Sequence, residues 1–176
     1  MGNFIQIAIV KNCNKEQVEN ILKQLEETET ITNLVSSQCK FEEINKGTIV
    51  LLNEFCDGYH YLASILSEML DTIVMVLYIY DGKSWSYCLC DNGEEIDQFS
   101  KDKEYLSCIE EFNKDISIGN LYIVCNCFSI KKEDISNYFK ILEEEKAYKD
   151  DEYTSNDCWQ MVDFMKKLGF PFKFNI

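Results

Sequence analysis

The chain has 176 residues, 46% of them hydrophobic, and its formal net charge at pH 7 is −14. This composition is typical of a globular protein with a sizeable core, and it excludes an intrinsically disordered chain. The sequence contains no arginine, so all of its cations are lysines. We therefore expect no direct binding of nucleic acid, because phosphate and base recognition favour a basic surface and the arginine fork.

The sequence also predicts where the protein works. It contains no apolar run long enough to span a bilayer, and we expect no membrane partner. The first residues lack the basic start and cleavage site of a signal peptide. The nine cysteines are odd in number and irregularly spaced, which indicates reduced thiols rather than a disulfide framework. These features predict a cytoplasmic protein. A single proline and the absence of repeats predict one globular domain over residues 1–176.

The first half of the chain predicts alternating strands and amphipathic helices. Asn14 and Gln17 have the spacing of a capping box at the start of the first helix. The second helix has an apolar side formed by Leu62, Ile65, Leu66 and Met69. The expected elements are strands over residues 3–10, 40–44 and 46–54 and helices over residues 14–28 and 57–71.

The middle of the chain predicts a three-stranded antiparallel meander. Residues 72–80 form a continuous apolar run, which is typical of a strand covered on both faces. Asp81-Gly82 and Asn92-Gly93 are strong signals for two-residue hairpin turns, because type I′ turns need positive φ at both central positions. Two-residue loops would fix the register. In this register Trp85, Tyr87 and Leu89 share a face with Tyr78, Val76 and Val74, Leu89 lies opposite Ile96, and Ser86, Cys88 and Cys90 lie opposite Phe99, Asp97 and Glu95.

The last third of the chain predicts further helices around one more strand. The final helix begins near Thr154 or Ser155 and ends before Gly169, which is placed for a left-handed C-terminal cap. The fold class is therefore α+β: a single domain with a mainly antiparallel sheet, a central three-stranded meander and about four helices packed on it. The remaining elements are a short helical stretch over residues 101–112, a strand over 121–128, a helix from about 131 and an edge strand over 172–176.

The two cysteines of the meander, Cys88 and Cys90, are candidate metal ligands. In a strand, residues two apart point to the same side, so Cys88 and Cys90 are expected to share a face with Glu95 and Asp97. Four such groups could hold zinc. Structural zinc ligands, however, usually come from turns with Cys-x₂₋₄-Cys spacing, and they are thiolates or imidazoles. We therefore predict no metal and no cofactor.

A cysteine could also act as a catalytic nucleophile, provided that a base activates it. His60 is the only histidine, so an enzyme based on a cysteine thiol would have to use it as the base. No orienting partner for His60 is visible in the sequence, and no phosphate-binding or hydrolase motif is present. We expect a non-enzyme, with a thiol enzyme that uses His60 as an alternative.

Two acidic stretches are candidate binding surfaces. Residues 143–157 contain seven carboxylates and two lysines. Such a run forms either a solvated loop or a docking surface for a basic protein, and tyrosines beside the charges are typical of interfaces. The carboxylates of the second meander turn are the other set. The candidate partner-binding residues are Asp91, Glu94, Glu95, Asp97, Glu143, Glu144, Glu145, Tyr148, Asp150, Asp151, Glu152 and Tyr153.

The meander also carries a resemblance to a known group of proteins. The segment "SWSYCLCDNGEEIDQF" and the terminal "WQMVDFMKKLGF" resemble parts of the bacterial immunity proteins of polymorphic-toxin and contact-dependent growth inhibition systems. The resemblance implies an intracellular non-enzyme that binds one cognate toxin, often a basic nuclease, and blocks its active site. The motif residues are Trp85, Tyr87, Leu89, Asn92, Gly93, Asp97 and Phe99.

A charge of −14 suits a basic toxin, since opposite charge steers association. The alternative is an acidic adaptor or a nucleic-acid mimic that regulates another basic protein. An adaptor or mimic is expected to bind several basic proteins, whereas an immunity protein is expected to bind one.

Overall fold

A computed structural model describes residues 4–53, 58–101, 119–140 and 145–175. It shows a single-domain α+β fold built on one six-stranded antiparallel sheet, which confirms the expected fold class. The strands are β1 (Ile5–Lys11), β2 (Lys40–Ile44), β3 (Gly47–Leu51), β4 (Ile73–Tyr80), β5 (Ser84–Asp91) and β6 (Glu94–Ser100). The described α-helices are α1 (Lys15–Glu27), α2 (Tyr59–Leu70), α3 (Leu121–Phe128), α4 (Lys132–Ile135) and α5 (Gln160–Leu168), with 3₁₀ turns at Ser36–Gln38 and Ser136–Phe139.

The strand order is β2-β3-β1-β4-β5-β6, which puts β1 inside the sheet between β3 and β4. Residues Ile7 to Val10 of β1 are fully buried on both faces. A continuous apolar run is what a strand covered on both faces requires. The β4–β5–β6 meander is present, and the hairpin of β2 and β3 lies on the other side of β1.

Helices cover both faces of the sheet. On one face, α1 and α2 bury aliphatic and thiol side chains, including Val74, Val76, Cys88 and Cys90. This side is called the α2 face. On the other, α3, α4 and α5 cover a core rich in aromatic rings. This side is called the α5 face. No helix within the described ranges has the length and apolar character needed to cross a bilayer.

The α5 face is organised around Phe164. Its ring stacks on Tyr87 with centroids 5.9 Å apart, and it also contacts Trp85 at 5.1 Å and Tyr138 at 5.4 Å. Trp85 donates from its indole nitrogen toward Gln160 Oε1 at 3.4 Å. Truncating a fully buried phenylalanine to alanine costs about 3–5 kcal/mol, so this cluster is a major source of stability.

The first helix forms as predicted. Asn14 accepts a hydrogen bond from the backbone of Gln17, and the Gln17 side chain accepts one from the backbone of Asn14. This reciprocal pair satisfies two amide donors that the first turn would otherwise leave open. Val18, Leu22 and Leu25 then point into the core.

The segment predicted as a strand at residues 121–128 is wrong: Leu121–Phe128 is α3. Asn120 caps this helix, since its side-chain oxygen accepts from the backbone nitrogens of Tyr122 at 3.1 Å and Ile123 at 3.3 Å. Cys125 and Cys127 therefore do not share a face as strand residues would. An apolar run of eight residues fits a buried helix as well as a buried strand.

The predicted meander register is wrong in two places. Asp81 and Gly82 adopt positive φ as expected, but Lys83 is an additional residue in the loop, so Ile79 and not Tyr78 shares a side with Trp85. At the second turn Cys90 pairs with Glu95 as predicted. A bulge then follows, so that Leu89 lies opposite Asp97 instead of Ile96. A one-residue slip moves a side chain to the other face of a sheet.

Several smaller expectations also differ from the structure. Met69 was placed on the buried side of α2 but is 40% exposed. The last helix begins at Gln160, later than expected, although Gly169 ends it in the left-handed conformation as predicted. Residues 171–175 do not form a strand; instead Phe172 and Phe174 pack against the aromatic core. The helix expected from residue 131 is split into α4 and a 3₁₀ turn. The helical stretch expected over residues 101–112 lies outside the described residues beyond Lys101.

Candidate functional site

The β5–β6 turn is clamped against α2 by a pair of serines. Ser64 Oγ donates to the carbonyl of Gly93 at 2.6 Å, and Ser67 Oγ accepts from the amide of Gly93 at 2.9 Å. A Cβ atom added to Gly93 would lie 3.3 Å from the Cβ of Glu68, at a φ of +85° that favours glycine. The helix and the turn therefore form one surface at this end of the molecule.

Exposed carboxylates surround this junction. We call the group Glu68, Asp71, Asp91, Glu94 and Glu95 the acidic patch. Asp91 pairs with Glu94 across the turn, and Glu68 lies over Gly93. Two large side chains of α2 are also exposed here, with Tyr61 at 57% and Met69 at 40%. Acidic groups around exposed aromatic and thioether side chains are a mixture that suits protein binding.

A group of possible metal donors lies where the acidic patch meets the sheet. Glu95 Oε2 is 3.1 Å from Cys88 Sγ and 3.1 Å from Nδ1 of His60. Cys88 Sγ is 3.7 Å from Cys90 Sγ, and both thiols are fully buried on the α2 face. We call His60, Cys88, Cys90 and Glu95 the donor cluster.

The surroundings of Cys88 favour its protonated thiol. The pKa of the Cys88 thiol is raised, first by its hydrogen bond with Cys90, then by burial and by the nearby Glu95 carboxylate. A nucleophilic cysteine needs the opposite, a lowered pKa that yields thiolate. Glu95 also contacts both Cys88 and His60, so the imidazole is paired with a carboxylate.

The second acidic stretch has a different role in the structure. Within residues 145–157, the buried Asp151 accepts hydrogen bonds from Tyr138 OH at 2.8 Å and from the backbone of Tyr148 at 2.9 Å. Asp163 of α5, also buried, accepts from the backbone nitrogens of Glu152 and Tyr153 at 2.8–3.0 Å. These carboxylates hold the loop to the protein by satisfying backbone donors.

The two tyrosines of this segment also contribute to packing. The ring of Tyr148 contacts Tyr138, lies under the ammonium of Lys167, and its hydroxyl accepts from the backbone of Asn137 at 3.1 Å. Tyr153 packs against Trp159 with centroids 6.5 Å apart. Both are half-buried, so they do not project as free anchors.

The predicted partner-binding residues differ in exposure and lie on two sides of the sheet. Asp91, Glu94 and Glu95 are exposed at the β5–β6 turn, whereas Asp97 is buried and bonded to Tyr87 and Asn120. In the second stretch Glu145, Asp150 and Glu152 are exposed and Asp151 is buried; Glu143 and Glu144 lie outside the described residues. Glu95 faces α2 and the second stretch packs on the α5 face, so the two sets are on opposite sides of the sheet.

Some site residues were not found from the sequence. Glu68 and Asp71 join the acidic patch, and Tyr61 lies exposed on the same helix, because α2 packs along the meander. His60 reaches Glu95 from 35 positions away. The sequence signal for these residues is that they lie off the predicted apolar side of α2. Its position against the β5–β6 turn depends on tertiary packing.

No family model, curated protein sequence or solved structure matches this chain.

Proposed function

We propose that this protein is an immunity-type binding protein that neutralises a basic toxin domain by covering its active site. The observation that carries the proposal is the acidic patch, five exposed carboxylates at α2 and the β5–β6 turn, with Tyr61 and Met69 also exposed on α2. The hydrogen bonds of Ser64 and Ser67 with Gly93 hold these two elements together. We place the complex in the cytosol and expect no catalytic step by this chain.

The electrostatics favour a basic partner. The whole chain carries a net charge of −14, and opposite charges at an interface raise the association rate and suppress wrong partners. Formation of the complex should therefore slow as the salt concentration rises. The exposed Tyr61 and Met69 supply contact area that persists at high salt, since it does not depend on charge.

Burial and internal contacts favour one of the two acidic stretches as the docking surface. Asp97 and Asp151 are engaged in internal hydrogen bonds, and Asp150 pairs with Lys167 at 2.8 Å. The segment 145–157 also exposes Lys146 and Lys149 among its carboxylates, so its local charge is mixed. The acidic patch is therefore the better docking surface of the two.

The test uses the C-terminal domain encoded by the adjacent upstream gene, because an immunity gene is expected beside its toxin. The two chains are co-expressed with one tagged, and growth rescue, stoichiometry and the salt dependence of association are measured. We expect a one-to-one complex that restores growth. Absence of both binding and rescue with this neighbour contradicts the proposal, and stable binding to several unrelated basic proteins would instead indicate an adaptor or nucleic-acid mimic.

Two matched charge reversals identify the surface. Glu68→Lys with Glu94→Lys changes the acidic patch, and Glu145→Lys with Glu152→Lys makes the same change of charge on the opposite side of the sheet. We expect the first pair to weaken binding at least about tenfold, mainly through slower association, and the second to have a much smaller effect. Equal effects of the two pairs would show that only net charge matters.

A further inference from the structure

Four side chains from three elements converge in the donor cluster. Cys88 and Cys90 are two residues apart on β5 and point to the α2 face, and Glu95 of β6 lies opposite Cys90. His60 comes from the first turn of α2. The donor atoms of His60, Cys88 and Glu95 all lie within 4.8 Å of one another, and Cys90 Sγ is 3.7 Å from Cys88 Sγ.

These separations resemble the edges of a tetrahedral zinc site. With Zn–S bonds of about 2.3 Å, two thiolates on a tetrahedron are about 3.8 Å apart. The observed sulfur–sulfur separation is 3.7 Å, and the carboxylate oxygen is 3.1 Å from both Cys88 Sγ and His60 Nδ1. His60, Cys88 and Glu95 already lie within 4.8 Å of one another, and the Cys90 thiol must turn toward His60 and Glu95 to complete the tetrahedron.

The identity of the donors also fits zinc better than the sequence suggested. From the sequence, the fourth group beside Cys88, Cys90 and Glu95 was Asp97, which gave an unusual set with two carboxylates. The bulge in β6 turns Asp97 toward Tyr87 on the α5 face, and α2 supplies an imidazole instead. Two thiolates, an imidazole and a carboxylate are all accepted ligands of zinc.

We propose that His60, Cys88, Cys90 and Glu95 form a Zn²⁺ site that fastens the start of α2 to the β5–β6 hairpin. Zinc replaces the thiol protons and takes the place of the contacts that Glu95 now makes with Cys88 and His60. The excess negative charge of the chain further favours a cation at this end of the molecule. The site shares Glu95 with the acidic patch, but the zinc proposal does not rest on the proposed toxin-binding function.

The test is metal binding by the full chain under anaerobic, reducing conditions. The metal content of the purified protein is measured, and the metal-free protein is titrated with Zn²⁺ against a chromophoric chelator and with Co²⁺ in a spectrophotometer. We expect one tight site, an intense tetrahedral Co²⁺ spectrum with thiolate charge-transfer bands, and a higher unfolding temperature with Zn²⁺. A weak site, or a Co²⁺ spectrum of octahedral type, would overturn the proposal.

The variants identify the ligands without relying on a core mutation. Cys88→Ala is informative only if it folds, because Cys88 is fully buried. His60→Ala and Glu95→Gln change partly exposed side chains, and each is expected to weaken Zn²⁺ binding by more than about tenfold, since even outer partners of metal sites have effects of that size. Cys125→Ala with Cys127→Ala, which removes the Cys-x-Cys pair of α3, is the control and should leave binding unchanged.

Two outcomes of these experiments would contradict the proposed zinc site. If His60→Ala and Glu95→Gln bind Zn²⁺ as tightly as the unchanged protein, or if the Cys125 and Cys127 control loses the metal, the donor cluster is not the site. Neither outcome depends on a toxin, so failure here leaves the proposed function standing. Conversely, loss of toxin binding in the Glu68 and Glu94 variant leaves the zinc site untouched.

Discussion

The acidic patch and the segment 145–157 have similar compositions and opposite uses of their carboxylates. At the patch, Asp91, Glu94 and Glu95 are exposed around a turn whose backbone is satisfied by two serines. In the segment, Asp151 is turned inward onto a tyrosine hydroxyl and a backbone amide. A carboxylate of an acidic run is thus free to face solvent where other groups satisfy the loop backbone, and it is drawn inward where the loop lacks other acceptors.

The largest expected loss of stability comes from removing the buried carboxylate of Asp151. Asp151→Ala leaves the buried hydroxyl of Tyr138 and the amide of Tyr148 without their acceptor. Leaving buried donors unsatisfied costs about 1–3 kcal/mol for each group, so we expect a loss of roughly 3 kcal/mol in the free energy of unfolding. Urea unfolding measures it. A loss no larger than that of a surface variant would show that the inward contacts do not hold the segment.

Asp163 gives a second, somewhat smaller effect on the same loop. Its carboxylate accepts from the backbone nitrogens of Glu152 and Tyr153, and Asp163→Ala is expected to cost about 2 kcal/mol because a charged acceptor is lost from a buried site. Amide hydrogen exchange should rise at those two nitrogens before it rises in the sheet. Unchanged protection there would contradict the assignment.

The pH dependence of stability distinguishes the inward carboxylate from an exposed one. Burial is the main cause that raises the pKa of Asp151 above its ordinary 3.8, and the hydrogen bonds from Tyr138 and Tyr148 oppose that shift. The folded protein thus holds this proton more tightly than the unfolded chain does. The stabilisation from protonation is complete below the ordinary value and is lost as the pH rises through the raised pKa.

Asp151→Asn removes that titration. The free energy of unfolding of the unchanged protein, relative to this variant, should therefore fall between pH 3.8 and neutrality. The matched variant is Asp150→Asn. Because Lys167 lowers the pKa of Asp150, the difference for that pair should change in the opposite direction over the acid range. If both differences in the free energy of unfolding changed with pH in the same direction, the buried and the exposed carboxylate would not differ in the way proposed.

The smallest expected effect is at the patch. Glu68→Lys with Glu94→Lys alters side chains that face solvent, and exposed charges contribute little to stability. We expect no measurable change in the urea midpoint, even though binding of a basic partner should be strongly weakened. A marked loss of stability would mean that these carboxylates, like Asp151, have a structural role.

Local signals explain what the sequence predicted well. The Asn14 capping box, the Asn92-Gly93 turn and the Gly169 cap each depend on residues a few positions apart. The apolar run over residues 72–80 predicts β4, and the Asp81-Gly82 and Asn92-Gly93 turns predict the β5 and β6 strands that follow it. The fold class followed from those elements alone, because a meander with helices between strands leaves few other arrangements.

The wrong predictions concern the type of one element and the register of the meander, which residues close in sequence do not determine. The run Leu121–Phe128 suits a strand or a helix, and Asn120 made the difference by capping the helix. The extra loop residue Lys83 and the bulge after Glu95 changed which side chains share a face. For the candidate site, exposure of Asp91, Glu94 and Glu95 was expected correctly. The burial of Asp97 and the approach of His60 depend on tertiary packing.

The outer strands of the sheet bear on how this protein behaves at high concentration. Among the strands that the structure describes, β2 and β6 are the edges, and each carries acidic residues, Glu42 and Glu43 on one and Glu94 and Glu95 on the other. The bulge interrupts the regular pairing geometry of β6, and Asp97 at that edge is already bonded to the backbone of Asn120. Repulsive, irregular edges discourage another strand from adding to the sheet. A chain so rich in apolar strands can in this way remain dispersed in a crowded solution without cross-β assembly.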